Sequence, residues 1–204
     1  MPQKNLPAVI VVASGTLAPL EGDSPPVSGA AVPADVLSGT LAHALATQMP
    51  VLVVAPVDLV PVAARSVASR DILVVPAAGE PVQGAGTALA AAVSQHADAA
   101  GWIIVPAGCV GARSGTLQQI ADALRQHPVA YAQRQGRRVY PVGFSSGLFS
   151  DLMALAVDEG PRRLAARFPG YAVELEEAPA MAERPASALT PARRGAVVGS
   201  ASAV

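Results

Sequence analysis

The chain predicts a three-layer α/β sandwich around a mostly parallel, mixed sheet. Three observations carry this. Short Val/Ile-rich runs alternate with Ala/Leu-rich amphipathic stretches, the βαβα rhythm of a sheet covered by helices. The first four runs are nearly continuous in apolar residues, as strands buried on both faces are. Later elements alternate less regularly, which adds mixed pairing.

In order, strands are expected at 8–13 (AVIVVA), 51–55 (VLVVA), 72–76 (ILVVP), 102–106 (WIIVP), 129–133 (VAYAQ), 138–144 (RVYPVGF) and 171–176 (YAVELE). Helices are expected at 36–48, 58–68, 86–98, 115–126, 148–157 and 160–168. Residues 22–33, GDSPPVSGAAVP, read as a loop inside the domain. The domain is expected to span 1–177. Residues 178–204, rich in Ala, Pro and Ser without a sustained period, read as a disordered tail.

Composition narrows the function classes. Of 204 residues, 51% are hydrophobic and 14% charged, enough apolar material for a real core. Aromatics make up 3%, so that core is built from small aliphatic side chains. The net charge is −1 and Lys4 is the sole lysine; no basic stripe with interleaved aromatics points to nucleic acid. The single cysteine, Cys109, excludes an internal disulfide framework and a Cys-based zinc site. The start, MPQKNLPAVIVV, is no convincing signal peptide and no run is long enough to span a membrane, so a cytoplasmic protein is expected.

One stretch poses the functional question. VVASGTLAPLEGDSPP (11–26) runs from a strand into a Gly turn, a common start for a nucleotide site, yet its loop carries Glu21 and Asp23 and no cation.

Several further stretches are similar to the MobA-like nucleotidyltransferases, in particular the molybdenum-cofactor cytidylyltransferase branch. GWIIVPAGCVGARSGTLQQIADAL (101–124) resembles its central strand, metal loop and following helix. GRRVYPVGFSSGLFSDLMALAVDEGPRRLAARFP (136–169) resembles its GRRGHPVGF block and the helix pair after it, and is the most specific part. GAGTALAAAV (84–93) and LAHALATQMPVLVVAP (41–56) match two more segments, so the resemblance covers roughly 6–177. It implies a Rossmann-like nucleotidyltransferase sandwich that transfers a nucleotide from CTP or GTP to a molybdopterin phosphate, with Mg2+ and a cationic Gly-rich loop. Such chemistry rests on positioning and on neutralising phosphate charge.

Three positions of that family pattern differ here. Its first loop, L-A-A-G-x-S-x-R-x-G-x-x-K, holds the triphosphate. This chain keeps Gly15, and with it the option of the same tight turn, but has no Lys or Arg between Lys4 and Arg65. A carboxylate ~4 Å from a phosphate oxygen costs about 4 kcal/mol at an effective dielectric of ~20. The metal loop, G-D-M-P in the family, aligns with Ala107, Gly108, Cys109 and Val110; Gly108 stands where the metal-binding Asp would be. The late D-I-D-T-P motif aligns with 183–187, where Pro185 takes the ligand position. The resemblance therefore implies a domain that kept its fold and lost its chemistry, with no metal site and no assigned catalytic residue. Remnant nucleotide contacts are expected at Ser14, Gly15, Gly84, Gly86, Thr87 and Gly108, and acceptor-pocket contacts at Arg138, Pro141 and Asp158. Its partner would be molybdopterin or a molybdoenzyme maturation protein. The alternative is an active transferase using Mg2+, CTP or GTP and substitute acids such as Asp23, Glu177 or Glu183.

Bland readings stand beside these. Thr87 is an N-cap candidate for the helix at 86–98, Asp158 for that at 160–168, and Arg137 with Arg138 reads as a solvated hairpin pair. Gly143-Phe144-Ser145-Ser146-Gly147 matches the G-x-S-x-G of a nucleophile elbow. No histidine follows it, so His43, His96 or His127 would have to approach from upstream; the plainer reading makes Ser145 or Ser146 an N-cap. Cys109 reads as a small buried apolar residue or, with a nearby histidine, a nucleophile.

Overall fold

The computed structural model describes residues 6–13, 17, 19–21, 32–76, 85–109, 111–154 and 160–175. Among the described residues seven strands form: β1 Ala8–Val12, β2 Val51–Pro56, β3 Ile72–Val75, β4 Gly101–Pro106, β5 Val129–Arg134, β6 Arg137–Ser145 and β7 Gly170–Glu174. They form one sheet in the order β3-β2-β1-β4-β6-β5-β7. All its pairings are parallel except those of β6, which runs antiparallel to both β4 and β5. The mostly parallel mixed sheet expected from the sequence is the one found.

Every residue of β1, β2 and β4 is buried, and side chains alternate between two cores. On one face Val9, Val11, Val53, Ile103 and Val105 meet Leu37 and Leu41 of α1 (Ala34–Leu45), Ala63 of α2 (Val60–Ala63) and Leu117 and Ile120 of α4 (Ser114–Ala123). On the other, Ile10, Leu52, Val54, Trp102 and Ile104 meet Leu89 and Val93 of α3 (Ala85–Gln95), Leu152 of α5 (Phe149–Met153) and Leu164 of α6 (Gly160–Arg167). Each fully buried Leu or Ile contributes about 1.5–3 kcal/mol relative to exposure. Among the described residues, no helix is long and apolar enough to cross a membrane.

Glycine sets two close approaches. A Cβ on Gly143 would lie 2.7 Å from Ile120 Cγ2 and 2.9 Å from Leu124 Cδ1, so its absence lets α4 settle on β6. One on Gly101 would lie 2.6 Å from the Phe144 carbonyl oxygen, across the β4–β6 ladder. The β5–β6 hairpin closes through Gln135 (φ 51°) and Gly136 (φ 76°), both left-handed as a two-residue hairpin turn with right-handed twist requires.

Three expectations change. The helix at 58–68 shrinks to α2, preceded by a 3₁₀ turn at Val57–Leu59. Pro61 has no N–H for the Val57 carbonyl, which takes that of Val60 instead. β3 is apolar in sequence but lies at the sheet edge, where Val74 is 54% exposed. The helix expected at 148–157 is short, since a 3₁₀ turn occupies Ser146–Leu148 and α5 spans Phe149–Met153. The expected tail at 178–204 and most of the 22–33 loop lie outside the described residues.

Candidate functional site at the carboxyl edge of the sheet

Parallel strands β1, β2 and β4 end on the same edge, the place where α/β sheets bind ligands. Ala13 follows β1, Val57 follows β2, and Ala107, Gly108 and Cys109 follow β4. Because β6 is reversed, its first residues, Arg137 and Arg138, come to this edge as well. The sheet thus gathers the Gly108 and Arg138 regions, which are far apart in sequence.

Gly108 is exposed and left-handed, with φ +83°. Its N–H donates to Thr40 Oγ1 of α1 at 3.3 Å, and that hydroxyl donates to the Val36 carbonyl at 3.0 Å. A Cβ at this position would sit 3.1 Å from Val36 Cγ1. The turn is therefore shaped for glycine and tied to α1.

Cys109 packs between the two cores, and its thiol donates to the Tyr140 carbonyl at 3.0 Å. Burial pushes the thiol up to about 11, against smaller opposing effects from the Gly111 N–H, Arg134 and the Ala112 N–H. Burial also raises the Tyr140 phenol, with the nearby Cys109 adding to the effect. At neutral pH Cys109 is a thiol, with the character of a small core residue and not of an activated nucleophile. Tyr140 and Pro141 are buried and form a bulge in β6: Tyr131 pairs with Val142, while the next residue, Ala132, pairs with Val139. The bulge stands beside the end of β4 and presents the carbonyl that Cys109 uses.

Arg138 is held from three sides. Its backbone N–H donates to Glu21 Oε2 at 3.0 Å, and its Nε lies 3.2 Å from Glu21 Oε1. Its Nη1 donates to the Ala165 carbonyl at 3.1 Å, and the guanidinium carbon lies 4.7 Å from the Tyr131 ring centroid. Glu21 thus reaches from beyond β1, past the end of β4, to the start of β6. Leu17 and Leu20 anchor the same stretch, buried in the core that contains Val12, Tyr140 and Leu164. Neither the Glu21–Arg138 tie nor the Thr40–Gly108 bond was legible beforehand, since each joins residues brought together only by the folded topology. The absence of any cation near Glu21 in sequence was the one available signal that it needed a distant partner.

The other candidate residues are placed differently. Thr87 is exposed and lies two residues inside α3, so it is not that helix's N-cap; the helix begins at Ala85 and includes Gly86. Ser14, Gly15, Gly84 and Asp158 lie outside the described residues. Ser145 ends β6 opposite Gly101, at the far edge of the sheet from Gly108. Its side chain makes no cap hydrogen bond to the 3₁₀ turn that follows. His127 stacks on Tyr171, with ring centroids 5.0 Å apart. Among the described residues, no three His, Cys, Asp or Glu side chains converge as metal ligands.

No curated protein sequence matches the chain. Solved structures do. The Rv0371c protein of Mycobacterium tuberculosis H37Rv, in complex with manganese, is 21% identical with a TM-score of 0.62, over 86% of this chain and 91% of that one. A nucleotidyl transferase from Methanothermobacter thermautotrophicus is 18% identical with a TM-score of 0.56, over 85% and 89%. The 4-diphosphocytidyl-2C-methyl-D-erythritol synthase of Anaerococcus prevotii is 11% identical with a TM-score of 0.52, over 84% and 90%. At such identities these likenesses establish the fold. The family assignment comes from the sequence model of the MobA-like NTP transferase domain, which matches residues 34–172, from the first residue of α1 into β7. The chain belongs to the MobA-like NTP transferase domain family.

Proposed function

We propose that this chain is a MobA-like domain that has kept its scaffold and lost nucleotidyl transfer. It acts by binding or by protein contact in the maturation of molybdenum enzymes, in the cytoplasm, with molybdopterin or a maturation protein as its partner. The observation that carries this is Gly108. It stands at the end of the central strand, where the family's motif places a metal-binding Asp, and its left-handed turn is closed onto Thr40 and Val36.

Gly108 and Cys109, at the end of β4, do not fit magnesium, which takes hard oxygen ligands and prefers carboxylates. Gly108 has no side chain, and the Cys109 thiol is neutral and directed at a carbonyl. The loop after β1 supports the same reading. Its described part carries two buried leucines and a carboxylate bound to Arg138, in place of cations free to meet a triphosphate. The family match opens at residue 34, beyond that loop.

The test is magnesium-dependent release of pyrophosphate from CTP or GTP with molybdopterin. No turnover and no magnesium-dependent thermal shift by either nucleotide are expected. A ligand at 100 times its Kd would add about 2.7 kcal/mol of stability, so binding would be visible. Robust turnover would refute the proposal. A second reading, transfer supported by the substitute acids, takes its one favourable observation from the manganese bound by the structurally similar Mycobacterium tuberculosis protein.

A further inference from the structure

We propose that Arg138 is the centre of a small oxyanion site whose occupant in this chain is its own Glu21 side chain, and that a phosphate monoester competes for it. The backbone N–H donates to one oxygen of the Glu21 carboxylate at 3.0 Å, and the guanidinium Nε forms an ion pair with the other at 3.2 Å. Paired, charge-assisted donors of this kind serve a phosphate as well as a carboxylate.

The receptor half does not depend on Glu21 for its shape. Nη1 is fixed to the Ala165 carbonyl and the guanidinium plane rests against Tyr131, so the fork stays aimed when the carboxylate leaves. Such preorganisation lowers the cost of binding a second anion. The site also lies at the ligand-binding edge of the sheet, at the start of β6. Glu21 and Arg138 keep 43% and 30% of their side-chain surface exposed, so an incoming anion can reach both.

Charge decides the competition. Glu21 brings one negative charge, whereas a phosphate monoester brings about 1.5 to 2 near neutral pH. An exposed ion pair is weak, so Glu21 is a displaceable occupant. The site would exist whether or not the chain transfers nucleotides, and its readout is separate from turnover.

The experiment follows the Arg138 backbone amide by NMR in the full chain. Inorganic phosphate and phenyl phosphate are titrated at constant ionic strength, with chloride as the control anion. Wild type should show a weak, saturable shift. Glu21→Gln, which removes the charge and keeps the shape, should bind about tenfold tighter. Glu21→Gln combined with Arg138→Met should lose the binding. Equal affinity in wild type and a folded Glu21→Gln variant, or an Arg138 amide that moves no more with phosphate than with chloride, would overturn the site. Should Glu21→Gln unfold, Glu21→Asp supplies the same comparison through a shortened carboxylate, with tighter phosphate binding than wild type expected and unchanged binding counting against the proposal.

Discussion

At position 108 the backbone makes the side chain expensive. A non-glycine residue at φ +83° costs on the order of 1–3 kcal/mol, and its Cβ would press on Val36 Cγ1 at 3.1 Å. Gly108→Asp is expected to lose about 1–2 kcal/mol in urea unfolding, and to show no magnesium-dependent pyrophosphate release, since the first loop remains without cations. Cys109 gives a second residue-scale test. Its folded pKa, about 11, lies above its ordinary value of 9.0. The folded state therefore holds the proton more tightly. That contribution is complete below about pH 9 and is lost as pH rises through 11. Cys109→Ala should flatten part of the decline in stability between those values, leaving the part due to Tyr140. Reaction of the native thiol with a maleimide should be slow at pH 7.

Among the elements, α4 offers a paired test against β6. Gly143→Ala sets a methyl 2.7 Å from Ile120 and 2.9 Å from Leu124 and should destabilise by about 1–3 kcal/mol, read as a lowered Tm. Gly115→Ala, inside α4 with nothing within 4 Å of the new methyl, should stabilise by about 0.5–1 kcal/mol. This scale also shows what could be read from sequence. The strands were legible because burial on both faces leaves an unbroken apolar run, as in β1 and β4. Edge position was not: β3 has the same composition, and only pairing order reveals that Val74 faces solvent. The reversal of β6 was expected only as mixed pairing. The site was half legible, because the resemblance singled out Gly108 and Arg138, while their partners, Thr40 and Glu21, lie 68 and 117 residues away.

For the whole molecule, the domain boundary expected near residue 177 yields a deletion experiment. β7 covers β5, Leu175 N–H donates to the Gln133 carbonyl at 2.8 Å, and Leu175 Cδ1 lies 2.9 Å from where a Gly111 Cβ would be. A chain ending at Glu177 keeps these contacts and should match the full chain in Tm within about 2 °C, a change of no more than about 1 kcal/mol for a domain of this size. A chain ending at Pro169 loses β7 and should unfold at least ~5 °C lower.

β6 is nine residues long, so Arg137 and Ser145 stand about 25 Å apart at opposite rims of the molecule. A dye or tether attached at Ser145 would leave the Gly108–Arg138 rim unobstructed, and immobilising the protein through that distal handle would present the candidate crevice outward to whatever it captures.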